Sequence, residues 1–494
     1  MMTTTCSVIG PQLSPRFDPC GIVITIALPH MKEVEQLTCW LRRGDLLAAV
    51  KVQSASKHFH SFVFSFNGLL PGAKYSYGFD QELDTGLERD ECWFYGPEMP
   101  SGSQVALVSC NHPFCADTDE EWAMWERADA VLDRNRVKLL IQGGDQVYND
   151  EIEAKSLRLL KKGSEEAKNT VRDLIIENYQ RFYSNPAYRR ILAQIPSLAM
   201  LDDHDITDGW GGRTRSFDRY GEFRPEWQEF FNLAYGAFID YQAAKNPPVL
   251  CNGVATTYLD AGPNRFYLLD LRKQKNLAKG RVVRREHLDA ILTSLDELPD
   301  HVRNVFMLFP VTPVRMDGDT ERIIMQLAGV PYAVHKLSIT STSFLARFLA
   351  YWRRLFKRIA HANPLATLID DITDALTYES NKPFMVELVK KLALLTEQRH
   401  ILILSGDIHN GGVSEISVGD ITIPQIVSSP IAHTPMAKEL KDLITYEGDY
   451  TIADGITARN VFYRSDRNFV IFEPDGDTVD FYFESLRAPI RWIW

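Results

Sequence analysis

The chain is first defined by what it lacks. None of its apolar runs reaches the roughly eighteen residues that a bilayer span needs, so no transmembrane segment is expected. Its start, MMTTTCSVIGPQ, has no basic stretch leading into an apolar one, so no secretory leader is read. The 7 cysteines are odd in number, scattered, and never spaced Cys-x-x-Cys. That fits a reducing compartment better than a disulfide framework, with the cytoplasm as the expected location. Positive charge is not in excess: 54 Lys and Arg against 65 Asp and Glu leave −11. Such a surface repels phosphate backbones, so no specific nucleic-acid partner is expected. There is no Gly-x-Ser-x-Gly elbow, no Gly-x-x-x-x-Gly-Lys loop, no repeat and no low-complexity tract.

What remains is an ordinary globular balance, 45% hydrophobic and 24% charged, over 494 residues. That length exceeds one usual core, so two domains are expected. Up to about residue 100, short runs rich in β-branched and aromatic residues alternate with turns such as Arg43-Gly44-Asp45. Ile22–Leu28, Leu46–Val52, Ser61–Phe66 and Lys74–Phe79 predict a small all-β sandwich over residues 1–100. The stretch Gly96–Ser103 reads as a linker. From residue 104 to 494, continuous apolar runs alternate with helical stretches, which predicts a layered α/β domain whose sheets are buried on both faces. A helical insertion is expected around 328–398, and the Pro474-Asp-Gly-Asp477 turn predicts a hairpin.

Polar residues with metal-binding chemistry follow the apolar runs directly. Val105–Ser109 leads into Cys110-Asn111-His112, and Leu139–Gln142 into Gly143-Gly144-Asp145-Gln-Val-Tyr148. Ser197–Leu201 leads into Asp202-Asp203-His204-Asp205, and Ile401–Leu404 into Ser405-Gly406-Asp407-Ile408-His409. Sites in open α/β sheets form beyond the carboxyl ends of strands. Hydrolysis of a phosphoester needs a nucleophile at neutral pH and neutralised phosphate charge, and two cations supply both. Carboxylates and imidazoles suit hard or borderline cations, while a thiolate or phenolate suits a redox metal. Each such residue taken alone is also a common helix cap, turn anchor or core side chain; Asp202 and Asp205 are read as caps or supports of ligands.

In this order, the four motifs resemble those of the PhoD-like alkaline phosphatases, a branch of the calcineurin-like metallophosphoesterases. The resemblance covers roughly Gln104 to the end, and Gly68-Leu-Leu-Pro-Gly-Ala-Lys-Tyr-Ser-Tyr77 is similar to the close of that family's N-terminal sandwich. It implies a layered metallophosphoesterase fold and a dinuclear site in which a metal-bound hydroxide attacks a phosphomonoester or phosphodiester. It places metal ligands at Cys110, His112, Asp145, Tyr148, Asp203, Asp407 and His409, with Asp145 bridging. It implies iron on the Cys110 and Tyr148 side and calcium, manganese or zinc as the second metal. His204 falls at the general acid. Arg272, in Asp270-Leu-Arg272, and Asn111, where the family usually has Gln, are assigned to the substrate. Two other classes stay open: a dinuclear-iron oxidase, and a non-catalytic scaffold or membrane-surface protein with a vestigial metal site.

The motifs do not absorb Phe344–Ile359. Phe344, Phe348, Trp352, Leu355 and Ile359 share one helical face, while Arg347, Arg353, Arg354, Lys357 and Arg358 supply five cations and no acid intervenes. Such a helix suits an anionic membrane or a subunit contact; it equally suits packing on its own domain.

Overall fold

A computed structural model describes residues 8–56, 58–115, 122–314, 375–378, 380–436, 449–475, 480–485 and 490–493. The N-terminal strands are β1 (Ile9–Phe17), β2 (Cys20–Ala27), β3 (Gln36–Arg43), β4 (Leu46–Gln53), β5 (Ser61–Asn67), β6 (Lys74–Phe79) and β7 (Trp93–Tyr95). They form two antiparallel sheets, ordered β1-β2-β5 and β4-β3-β6-β7. Leu13, Ile24, Leu37, Leu41, Phe62 and Tyr77 meet between them in one core. Within β5, Phe62, Phe64 and Phe66 turn inward while Ser65 and Asn67 are exposed, the period of two that a one-sided sheet requires.

Two larger sheets follow. One is built from β8 (Gln104–Val108), β9 (Val137–Gln142), β10 (Ser197–Ala199), β19 (Asn468–Phe472), β20 (Asp480–Ser485) and β21 (Ile490–Ile493), in the order β10-β9-β8-β19-β20-β21. The other uses β11 (Thr257–Ala261), β12 (Asn264–Leu268), β13 (Asn304–Phe309), β14 (His400–Ser405), β15 (Gly411–Val418), β16 (Ile421–Val427), β17 (Asp449–Ala453) and β18 (Ile456–Arg464). Its order is β11-β12-β13-β14-β16-β15-β18-β17. The hairpin expected around residue 475 is present as the antiparallel pair β19 and β20.

Burial on both faces explains the continuous apolar runs. In β8, Val105 and Leu107 point into the layer between the sheets, whereas Ala106 and Val108 meet the helices outside. In β14, Leu402 and Leu404 face the inter-sheet layer and Ile401 and Ile403 face the opposite side. The helices α1 (Ala123–Val131), α2 (Asp150–Leu160), α3 (Glu165–Phe182), α4 (Pro186–Gln194) and α5 (Pro225–Tyr241) cover the first sheet. The second is covered by α6 (Arg285–Asp296) and α7 (Lys382–Leu395). The result is helix, sheet, sheet, helix, a mixed α/β architecture. Helix starts are marked by side-chain caps: Ser164 accepts from the Ala167 amide ahead of α3, and Asn185 from Tyr188 ahead of α4.

Strands β8, β9 and β10 are mutually parallel, as are β12, β13, β14 and β16. Their carboxyl ends therefore gather at one rim, where the four motifs emerge. Of the helical insertion expected over 328–398, α7 is present; residues 328–374, and with them the basic stretch 344–359, lie outside the described residues. Among the described residues no helix is long and apolar enough to cross a membrane, and the six cysteines are free.

Candidate metal centre

The rim is made of tight corners. Among the described residues five non-glycine residues adopt a left-handed backbone, and four of them are Cys110, Asp145, Asp407 and His409, with φ between 51° and 74°. Each such corner costs on the order of 1–3 kcal/mol and persists only where the surroundings impose it. Each follows a buried strand. Gly144, at φ 105°, completes the corner after β9: a Cβ there would lie 2.6 Å from the Cβ of Asp202. Gly406 is similarly confined, since a Cβ would come within 2.5 Å of the Ser109 side chain.

These corners bring the predicted side chains together. Ligand atoms of Cys110, Asp145 and His409 lie within 4.8 Å of one another, as do those of Asp145, Asp203 and His204, and those of Asp202, Asp203 and Asp407. Asp145 belongs to two of the three groups. Cys110 Sγ lies 3.5 Å from Asp145 Oδ2, and the Tyr148 hydroxyl donates to that same oxygen at 3.1 Å and lies 3.5 Å from His409 Nε2. Cys110, Asp145, Tyr148 and Asp203 are buried, whereas His204, Asp407 and His409 are half-buried.

The electrostatics of the cluster call for positive charge. Burial, then Asp203, Asp205 and Asp407, push the Asp145 carboxyl well above its usual range against the pull of His204. Burial and Asp145 likewise push up the Cys110 thiol and the Tyr148 phenol. Asp202 Oδ2 is buried without a hydrogen bond. Cations relieve such crowding, and a donor set of thiol, phenol, imidazole and carboxylates fits them chemically.

Arg272 departs from the expectation. Its guanidinium is fully buried and turned onto Asp202 Oδ1, at 2.5 Å, and Asp203 Oδ1, at 3.3 Å. The fork therefore grips carboxylates inside the fold rather than presenting itself to a phosphate. Despite the cost of burial, Arg272 holds Asp203 at about 2, with His204 and the Gly209 amide helping. Asn111 is also placed otherwise. Its amide donates to the Gln146 carbonyl at 3.1 Å and its oxygen accepts from the Trp125 indole at 2.8 Å. It ties α1 to the loop after β9 instead of facing a substrate. His112 stands outside the three ligand groups, its ring 4.4 Å from that of Tyr148 and its Nε2 4.0 Å from Glu151. Burial lowers its pKa to about 3.

His204 Nδ1 lies 2.7 Å from Asp150 Oδ2. Burial opposes the charged imidazole, but Asp150, Asp203 and Asp145 together raise its pKa well above the ordinary value. Asp205 is a scaffold: its carboxylate accepts from the amides of Asp145, Val147 and Asp202 and from Gln242.

Three neighbours were not read from the sequence. Asp150, the first residue of α2, pairs with His204. The hydroxyl of Ser429 donates to Cys110 Sγ at 3.1 Å and accepts from the His409 amide at 3.1 Å. His433 stacks on His409 with ring centroids 3.7 Å apart. Asp150 carried a faint signal, a carboxylate two residues beyond Tyr148. Ser429 and His433 carried none, being about 319 residues from the loop they join.

This architecture is similar to that of two solved phosphatases. It superposes on the structure of PhoD with a TM-score of 0.60 and 12% identity, covering 99% of this chain and 88% of that one. It superposes on the purple acid phosphatase PPD1 from yellow lupin (Lupinus luteus) seeds with a TM-score of 0.53 and 10% identity, covering 97% and 72%. Residues 105–295 match the model of the PhoD-like phosphatase family. The uncharacterized protein YGR266W of Saccharomyces cerevisiae is 29% identical over 162 residues, 26% of this chain and 23% of the yeast protein. The match thus spans less than a quarter of that relative.

Proposed function

We propose that this protein is a metal-dependent phosphoester hydrolase with a two-cation site. The observation that carries the reading is that Asp145 is shared between two adjoining groups of ligand atoms. Cys110, Asp145, Tyr148 and His409 would hold one cation, with iron favoured by the thiol and phenol. Asp145, Asp203 and Asp407 would hold the other, for which calcium, manganese and zinc are the candidates. When bound, the cations provide a nucleophile at neutral pH and neutralise phosphoryl charge.

The chain's own residues supply the rest. Ser429 donates to the Cys110 sulfur and fixes its direction. Arg272 holds the Asp202 and Asp203 carboxylates against each other's repulsion. Asp150, Asp203 and Asp145 favour the imidazolium form of His204, so its outer nitrogen carries a proton while Nδ1 donates to Asp150, and that outer proton goes to the leaving oxygen. The Tyr148 ring, packed between His112 and His204 at 4.4 and 4.2 Å, walls water from the inner side. The cytoplasm is the compartment we propose.

Elemental analysis of the purified protein, paired with hydrolysis of p-nitrophenyl phosphate and bis(p-nitrophenyl) phosphate, tests this. Two equivalents of metal with chelator-sensitive nitrophenol release are expected. Failure to retain metal under any loading condition would refute it, and oxygen consumption without phosphate release would favour an oxidase.

A further inference from the structure

His433 belongs to the loop after β16 and is held there from three sides. The Ser428 amide bonds to Ser405 at the end of β14, and the Ile431 amide to Ser109 at the end of β8. The His433 amide donates to the Cys110 carbonyl at 3.0 Å, and Asn468 at the start of β19 donates to the Pro430 carbonyl at 2.8 Å. The imidazole is therefore fixed to the same backbone corner that carries a proposed ligand. Its ring lies against His409 at 3.7 Å and approaches Tyr148 and His112 at 5.4 Å each.

Its orientation is fixed as well. His433 Nδ1 lies 2.8 Å from the Thr434 carbonyl oxygen. A carbonyl only accepts, so Nδ1 carries the hydrogen and Nε2 keeps a lone pair. His433 stands outside the groups of ligand atoms that could share one cation and is half-buried. An acceptor is thus held against His409, in a site where His204, favoured as the imidazolium by its carboxylate neighbours, is a donor.

We propose that His433 Nε2 is a substrate-positioning acceptor that takes a hydrogen bond from an O–H group of the ester. This rests on the phosphoesterase reading above. The hydroxyl has two chemical sources, the alcohol part of a polyol phosphate or the protonated oxygen of a phosphomonoester. In both cases the residue favours monoesters of hydroxylated alcohols over diesters that lack any O–H.

The test compares holoenzyme and His433→Phe, which keeps a flat ring against His409, on three substrates. Glycerol 2-phosphate has both kinds of hydroxyl, p-nitrophenyl phosphate only the phosphate one, and bis(p-nitrophenyl) phosphate neither. Loss of one neutral hydrogen bond is expected to lower the kcat/KM ratio of glycerol 2-phosphate to the diester roughly three- to tenfold, mainly through KM. The ratio of p-nitrophenyl phosphate to the diester assigns the source: a parallel fall means the phosphate hydroxyl, no fall the alcohol hydroxyl. His433→Gln, which returns an acceptor near the Nε2 position, should restore part of the selectivity. Equal losses on all three substrates, or loss of bound metal by elemental analysis, would overturn the proposal and make His433 a structural or ligating residue. Unchanged ratios would overturn it too. A wild-type enzyme that releases phosphate from none of the three would instead remove the phosphoesterase reading beneath it.

Discussion

Asp150, at the first turn of α2, engages Nδ1 of His204 at 2.7 Å, so one carboxylate sets both the direction and the proton affinity of the proposed acid. Replacing Asp150 with Asn removes the largest of the charges that raise the His204 pKa. The imidazole then loses its proton at lower pH, and the alkaline limb of the kcat profile should move toward acid. A pH–rate profile of Asp150→Asn with an unmoved alkaline limb would mean that His204 is not the acid.

The His204→Ala variant should lose about 10²–10⁴-fold on an ester with an alkyl leaving group. The loss should be much smaller with p-nitrophenyl phosphate, whose leaving oxygen needs little protonation. Measuring kcat on the two substrates decides; equal losses would assign His204 to a metal instead.

Asp145→Asn should reduce metal content and activity together. Even the outer partners of metal ligands cost about 10–100-fold when removed, so a loss beyond about a hundredfold is expected here. Full metal occupancy with full turnover in this variant would contradict the shared position of Asp145.

Arg272→Met leaves Asp202 and Asp203 buried and facing each other without their cation. Removing one partner of a buried ion pair costs about 3–5 kcal/mol, measurable as a lower urea midpoint. Added divalent metal should recover part of that loss, since it supplies positive charge at the same carboxylates.

Lys245 offers a pH-dependent test away from the site. It is buried between β1 and the end of α5, donating to Gln12 Oε1 at 3.0 Å and to the Gln242 carbonyl at 2.9 Å. Burial lowers its pKa from 10.5 to about 7. Between those values the unfolded chain binds a proton that the folded chain does not, so stability from this group rises with pH above 7 and is lost as pH falls toward 7. From pH 7 to 9 the wild type should gain about 2 kcal/mol relative to Lys245→Met. Identical pH slopes for the two proteins would show that Lys245 stays charged in the fold.

Much of this was legible in the chain because both faces of the central strands are buried. A run such as Ile401–Leu404 has no polar face, so the first polar residues after it mark the strand end, and Asp407 and His409 were found there. The partner of Arg272 was not legible because Asp202 lies 70 residues away; an arginine near a phosphate site and one gripping a carboxylate look alike until the burial is known. His112 follows the same strand as Cys110, yet the corner at Cys110 sends the two side chains to different places. The insertion of β19 beside β8 joins segments more than 350 residues apart, and no local pattern announces such a pairing.

The left-handed corners at Cys110, Asp145, Asp407 and His409 have a consequence for how this protein would evolve in the laboratory. Glycine alone adopts such a backbone without penalty, so at each of these positions the residue that chemistry requires is not the one that conformation prefers. A library selected for heat resistance alone, without metal or turnover, should drift toward glycine at those four positions. It would yield hardier molecules whose sheets and helices are intact and whose rim is chemically silent.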